Sequence, residues 1–233
     1  NYKAMEEYSQ WRLIGSTHKE MTEEYTIDIK NENQRVSNEQ RRNDRARTLL
    51  EKFSKAHVYN EIDSEAYKQL LRLNVIEYNR LNDNKGVKFD FSIWDNKSLE
   101  HIYPKSMFFH TVVNEETQEI RYVRGDGADI SFDKTKDLRN SDTEFSNSSR
   151  YSEHCIGNLV LLYGKNNSEF SNLPFEDKKF KFFHNERKFE SRNLLHTISS
   201  FASSKWDIKE IESSADSFIE RFKKDYNIQE NNE

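Results

Sequence analysis

The chain has 233 residues, 33% charged and 34% hydrophobic, with a formal net charge of -5. That length allows one large domain or two small ones with a sizeable core, and the acidic balance excludes a uniformly basic surface, so any grip on phosphates must come from local clusters of Lys and Arg. The single cysteine, Cys155, excludes an internal disulfide and a multi-thiolate zinc site and fits a reducing, cytoplasmic setting.

A mean hydropathy of -1.04 implies helices with wide solvated faces and mobile loops between them. Sixteen Phe, eleven Tyr and three Trp argue for a thin, aromatic-rich core, because each ring buries a large area. No apolar run approaches the roughly 20 residues that span a bilayer, and nothing at the start resembles a signal peptide. The sequence opens Asn1-Tyr-Lys-Ala without an initiator Met, which reads as a piece of something longer.

Residues 1 to about 85 read as helices, with Gly15 the only glycine before Gly86. Tyr2, Met5, Tyr8 and the stretch from Trp11 to Ile14 recur at helical spacing. From Val36 to His57 another stripe runs through Ala46, Leu49, Leu50, Phe53 and Ala56. Asp63-Ser-Glu-Ala opens a third helix, striped by Tyr67, Leu70, Leu71, Leu73, Val75, Ile76, Tyr78 and Leu81, with the acidic and hydroxyl residues that favour a helix start. Arg41, Arg42, Arg45 and Arg47 lie on the second helix among Glu39 and Asp44; a solvated face is the plainer reading and a phosphate-facing one the alternative.

Asn82-Asp-Asn-Lys-Gly86 is a turn signal, and from Val87 to Trp94 apolar and polar residues alternate with the period of a strand. Phe108 to Val113 and Glu119 to Val123, joined by Asn114-Glu-Glu-Thr-Gln118, read as a hairpin. Residues 125–152 are rich in Gly, Asp, Asn and Ser and read as loop; Asp126 and Asp129 have no distal Glu at the spacing of a calcium loop, so a turn is the plainer reading. After Asn172-Leu-Pro-Phe175 come helical segments to about residue 202. A last helix follows Trp206-Asp207, with Ile208, Ile211, Ala215, Phe218, Ile219, Phe222 and Tyr226 on one face.

Two stretches combine a short apolar run with residues that bind metals or move protons: Ser98-Leu-Glu-His-Ile-Tyr-Pro-Lys-Ser106, and Gly157-Asn-Leu-Val-Leu-Leu-Tyr-Gly-Lys-Asn-Asn-Ser168. Read together they give a strand carrying Glu100 and His101, a second strand near Asn158, and a turn into a helix that presents Asn167. Neighbours on a strand point to opposite sides, which would let one side chain of the pair face a metal while the other faces water. A Glu-His pair alone is most often structural; the second stretch, with Asn at fixed spacing, is not implied by strand propensity. Lys178, Lys179, Lys181, Arg187 and Lys188 form the densest basic cluster, interleaved with Phe180, Phe182, Phe183 and Phe189. It reads either as a solvated face or as a grip on DNA phosphates.

These two stretches resemble the C-terminal HNH domain of GmrSD-type restriction endonucleases. Trp94, Ile102, Pro104, Asn172-Leu-Pro-Phe175, Lys178-Lys179 and the run Leu71-Arg-Leu-Asn-Val75 support the resemblance, which is strong over residues 70–188 and at the last helix. It implies that His101 is the general base, that Glu100 and Asn167 are metal ligands, and that Asn158 orients the base and braces its loop. Asn166 is the alternative to Asn167. An Asn at that last position makes the ligands all oxygen, which favours Mg2+ or Mn2+ over Zn2+. Lys178, Lys179 and Lys181 would then contact phosphates. The 107–153 stretch is longer than the family leads one to expect between the half-motifs.

The expected architecture is α+β and mostly helical, with an inserted ββα-metal (HNH) module and an extra β-hairpin. Residues 1–88 would form a helical support region, 89–188 the nuclease module with its insertion at 107–153, and 189–233 helices packing on it. The implied function is a metal-dependent HNH DNA endonuclease of a restriction, anti-phage system, acting on phage or modified DNA without a membrane. The resemblance also implies an N-terminal NTPase-type domain or partner subunit; no Walker-type loop occurs here, so any nucleotide site would lie outside this chain. The alternatives are a nucleic-acid-binding or assembly domain that keeps the ββα shape without turnover, and an RNA-directed nuclease. His154 reads as a further ligand, a phosphate contact or a hydrogen-bonded structural residue. His18, His57, His110, His184 and His196 read as surface or core, and Cys155 as a small buried hydrophobe.

Overall fold

The computed structural model describes residues 32–55, 57–82, 89–124, 144–145, 151–184 and 190–228. The expected first helix, Ala56, residues 83–88 and most of the glycine-rich loop, with Asp126 and Asp129, lie outside the described residues.

Helix α1, Glu32–Phe53, buries Ala46, Leu49 and Phe53, which recur at i, i+3 and i+7 and so share one face. It ends before His57. Helix α2, Asp63–Leu81, has acidic Asp63 and Glu65 in its first turn, where carboxylates meet the positive end of the helix. Its buried face is more polar than an apolar stripe implies: Gln69, Arg72 and Asn74 are buried beside Ala66, Leu70 and Leu71. Arg72 donates to Gln69 and to Asp225, and Asn74 Oδ1 accepts the His196 N–H at 2.9 Å.

The expected strand over 87–94 is instead, from Phe91 to Trp94, a 3-10 turn. Asp90 caps it by accepting the Ser92 N–H at 2.9 Å, and the turn buries Ile93 while leaving Phe91 and Trp94 exposed. A side-chain cap that satisfies a free N–H outweighs a weak alternating pattern.

Strand β1, Lys97–His101, pairs far along the chain rather than with its neighbour. Strands β2, Phe108–Val113, and β3, Ile120–Arg124, make the expected antiparallel hairpin, and β4, Glu144–Phe145, joins β2 in parallel. Asn114 Oδ1 accepts from the N–H groups of Glu116 and Thr117 and so sets the hairpin loop. Strand β5, Leu159–Tyr163, is buried at every position and pairs antiparallel with β1, Glu100 opposite Val160 and His101 opposite Leu159. The two half-motifs therefore meet despite the long stretch between them.

Helix α3, Gly164–Phe170, starts at the residue after β5. Helices α4, Phe175–His184, α5, Leu195–Phe201, and α6, Ile208–Asp225, complete the α+β, mostly helical fold. A capping box starts α6: Asp207 Oδ1 accepts the Lys209 N–H at 2.8 Å and Glu210 accepts the Asp207 N–H at 3.2 Å. Its buried face, Ile211, Ala215, Phe218, Ile219 and Phe222, meets α1 through Phe53, whose ring centre is 5.2 Å from that of Phe218.

A second aromatic cluster joins Phe170, Phe182 and Phe201, with Phe182 and Phe201 at 4.9 Å. Each fully buried Phe contributes about 1.5–3 kcal/mol. The aromatic-rich core expected from composition is thus one continuous cluster linking α1, α2, β1, β5 and the later helices. Among the described residues no helix is long and apolar enough to cross a membrane.

Burial holds His196, on α5, at a pKa of about 4, below the value near 6.5 of an unfolded histidine. Between those values the unfolded chain binds more protons, so stability falls as pH drops through that window and is regained above it. His196 keeps some solvent access, which reduces the full effect of such a shift to about 1–3 kcal/mol. Urea unfolding at pH 7 and pH 4.5 should show this loss, and His196→Gln should remove it.

Candidate active site

The site is built where β1 ends and β5 begins. A 3-10 turn, Ile156–Asn158, leads directly into β5 and delivers Asn158 to the end of β1. Asn158 is 0% exposed, and its amide is used on both sides. Oδ1 accepts the Tyr103 N–H at 2.8 Å, and Nδ2 donates to the carbonyls of Tyr103 and Glu153, each at 2.9 Å. Its own carbonyl accepts the Ile102 N–H at 2.9 Å. Asn158 therefore clamps the residues that follow His101 to those that precede β5.

His101 is 7% exposed. Its Nε2 shares a hydrogen bond of 3.1 Å with His154 Nδ1, while Nδ1 has no hydrogen-bond partner among the described residues. The Tyr59 ring lies 4.5 Å from the His101 ring centre and nearly parallel to His154 at 5.6 Å. Burial, then the neighbouring His154, Lys178 and Lys105, hold the His101 pKa well below its ordinary value. At neutral pH the ring is uncharged, the form that can accept a proton.

Glu100, 6% exposed, and Lys178, 1% exposed, form a buried ion pair with Nζ 2.6 Å from Oε1. Nζ also donates to the His101 carbonyl at 2.6 Å. The one ammonium therefore holds both the Glu100 carboxylate and the backbone carbonyl of the next residue. Burial pushes the Glu100 carboxyl up despite the lysine, and burial pushes the Lys178 ammonium down despite the carboxylate.

Asn167, on α3, donates through Nδ2 to Ser98 Oγ at 2.5 Å and to the Leu99 carbonyl at 3.3 Å, so Oδ1 is not used in either bond. Ser98 and Glu100 are two apart on β1 and share a face, which sets the Asn167 amide beside the carboxylate's side of the strand. Asn166 points elsewhere: its Oδ1 accepts from Ser191 N–H and Oγ. Lys179 Nζ donates to the Ser203 carbonyl and Lys181 Nζ to the Glu169 carbonyl. Of the three lysines, Lys178 is at the floor of the site and Lys181 is exposed.

Two side chains on this side of β1 could offer oxygen ligands to a divalent cation. The Glu100 carboxylate, shared with Lys178, and the Asn167 amide oxygen are oxygen donors of the type that Mg2+ or Mn2+ takes, ions that fill remaining positions with water and substrate oxygens. A cation there would share Glu100 with Lys178. Among the described residues no group of three or more His, Cys, Asp or Glu is gathered to hold a metal.

A family model described as the C-terminal domain of GmrSD restriction endonucleases matches residues 27–221. The chain belongs to this family. Membership makes it a domain of restriction-endonuclease type, and the match spans α1 through most of α6. No curated protein and no solved structure matches the chain.

Tyr59, Glu153 and the burial of Lys178 were not evident in the sequence as parts of the site, and His154 stood with three open readings. The position of Lys178 had a signal: with Phe175 and Phe182 it recurs at i, i+3 and i+7, the buried face of α4. Gly157 is a further residue on which the site depends. An added Cβ would press on the Ile211 carbonyl and lie 2.6 Å from Ala215 N, both backbone atoms of α6 that cannot swing aside. Gly157→Ala should therefore cost about 3 kcal/mol, at the upper end for overpacking, read as a lower urea midpoint with an unchanged slope.

Proposed function

We propose that this domain is a metal-dependent HNH endonuclease that hydrolyses phosphodiester bonds in DNA, with β1, β5 and α3 as its ββα-metal module. The observation that carries the reading is the β1–β5 register: it brings His101, Glu100, Asn158 and Asn167 together from half-motifs far apart in sequence. Family membership supports the nuclease class and DNA as substrate.

In this reading Glu100 and Asn167 hold one Mg2+ or Mn2+. When bound, the ion neutralises charge on the phosphate oxygens and helps the leaving oxygen depart. His101 takes a proton from water at Nδ1, and the electron pair left on the water oxygen attacks phosphorus. Asn158 keeps the residues after His101 fixed so that the ring cannot drift from its water. Lys178 holds Glu100 and the His101 carbonyl from below and places a positive charge under the scissile phosphate. Lys179 and Lys181, further along α4, would meet the flanking DNA backbone. The domain would act with an N-terminal NTPase-type domain or partner subunit in a restriction system directed at phage or modified DNA, in the cytoplasm.

The test is cleavage of supercoiled plasmid, modified and unmodified, with Mg2+, with Mn2+ and with excess EDTA. Metal-dependent nicking or linearisation is expected. A second reading draws on the Lys178–Glu100 ion pair, which occupies a prospective ligand: a nucleic-acid-binding or assembly domain without turnover. Plasmid that is bound but never cut under any of these metals would select it, and cleavage confined to structured RNA would replace the substrate class.

A further inference from the structure

We propose that His154, backed by Glu153, is a positioning residue that fixes the tautomer of His101. This rests on the reading of His101 as the base and assigns a role to the ring that touches it. His101 Nε2 and His154 Nδ1 lie 3.1 Å apart, and between two neutral rings only one of these nitrogens can carry the hydrogen.

The Glu153 carboxylate biases which. Its Oε1 lies 3.6 Å from His154 Nε2, too long for a strong hydrogen bond but close enough to bias a buried neighbour. A hydrogen on His154 Nε2 faces that oxygen favourably, whereas a lone pair there would face negative charge. With its hydrogen on Nε2, His154 has a bare Nδ1, which accepts the Nε2–H of His101. The lone pair of His101 is then confined to Nδ1, the ring nitrogen that has no hydrogen-bond partner among the described residues.

The chain around these rings is held tightly enough to keep that direction. The His154 carbonyl accepts the N–H groups of Val58 and Tyr59 at 2.9 and 3.0 Å, and its N–H donates to Ser152 Oγ at 3.1 Å. Asn158 Nδ2 bonds the carbonyls of both Tyr103 and Glu153, so the segments carrying the two histidines are tied through one amide. Tyr59 covers both rings. When a proton leaves water for His101 Nδ1, the positive charge formed on that ring is shared with His154 through the Nε2–H already pointing at it, in the manner of an orienting partner behind a catalytic histidine.

Long-range 1H–15N correlation spectra of the whole chain labelled with 15N-histidine, without metal, read the tautomer directly; His101 is assigned by its loss in His101→Asn. The expected result is an Nε2-protonated His101, and an Nδ1-protonated His101 would overturn the proposal whether or not the protein cuts DNA. His154→Ala should lower kcat by about 10–100-fold, the range for outer partners of a functional histidine, with KM within about threefold. His154→Asn, whose amide oxygen can accept the same hydrogen, should recover most of the rate. An alanine variant within about threefold of wild type, or an asparagine variant no better than alanine, also counts against the proposal. If the alanine variant does not fold, the wild-type spectrum and His154→Asn decide. An inert wild type that shows the Nε2–H tautomer rejects the nuclease reading and supports the tautomer assignment.

Discussion

Replacing His101 by alanine is expected to lower DNA cleavage by about 10²–10⁴-fold, the contribution of a positioned general base. The residue has no metal to hold in the proposed site, so DNA binding in the presence of Mg2+ should persist, and the loss should appear in kcat more than in KM. Truncation also removes a ring packed under Tyr59 and bonded to His154, so the variant should melt at a lower temperature. Cleavage must be compared well below that transition, with circular dichroism showing that helix content is retained. Added imidazole, able to enter the space left by the ring, should restore part of the rate. A His101→Ala protein that cuts within about fivefold of wild type would remove His101 from the role of base.

Lys178→Met should destabilise the fold by about 3–5 kcal/mol, the usual consequence of removing one partner from a buried ion pair. Methionine fills most of the lysine's volume, so the loss is electrostatic: Glu100 stays buried without a cation, and the His101 carbonyl loses its donor. Glu100→Gln in the same chain removes the uncompensated charge and should return a large part of the stability. The two changes should therefore be strongly non-additive in a double-mutant cycle followed by urea unfolding. Near-additive losses, or a single loss below about 1 kcal/mol, would mean that the pair is ionised weakly or opened by solvent. The same variant bears on function, since lysine and metal would share one carboxylate. A stable double variant that still binds DNA but does not cut would agree with Glu100 as a ligand.

Much of the local structure is legible in the residues because it is set by near neighbours. The apolar period marks α1, α2 and α6, Asp63 and Asp207 mark two helix starts, and the 108–124 hairpin follows from alternation around Asn114-Glu-Glu-Thr-Gln118. Reading failed where a side chain overrode pattern: Asp90 caps a 3-10 turn where alternation implied a strand. It was incomplete where polar residues are buried, because whether Gln69, Arg72 and Asn74 face solvent depends on Asp225 and on the His196 backbone, both remote in sequence. Glu100, His101, Asn158 and Asn167 were legible as candidates through their spacing and family resemblance. His154 was legible only as a nearby histidine with no assigned partner.

By itself, the sequence determined which residues of the two half-motifs are candidates for metal binding and proton transfer, and which segments form helices, since both depend on residue type and short-range spacing. Only the tertiary structure decided that β1 pairs with β5 across the long intervening stretch, that Lys178 turns inward onto Glu100 instead of outward toward solvent, and that His154 caps the Nε2 of His101. Antiparallel pairing and burial are settled by contacts between distant segments. The identity of a residue fixes its hydrogen-bonding capacity, but the fold selects the atom that uses it.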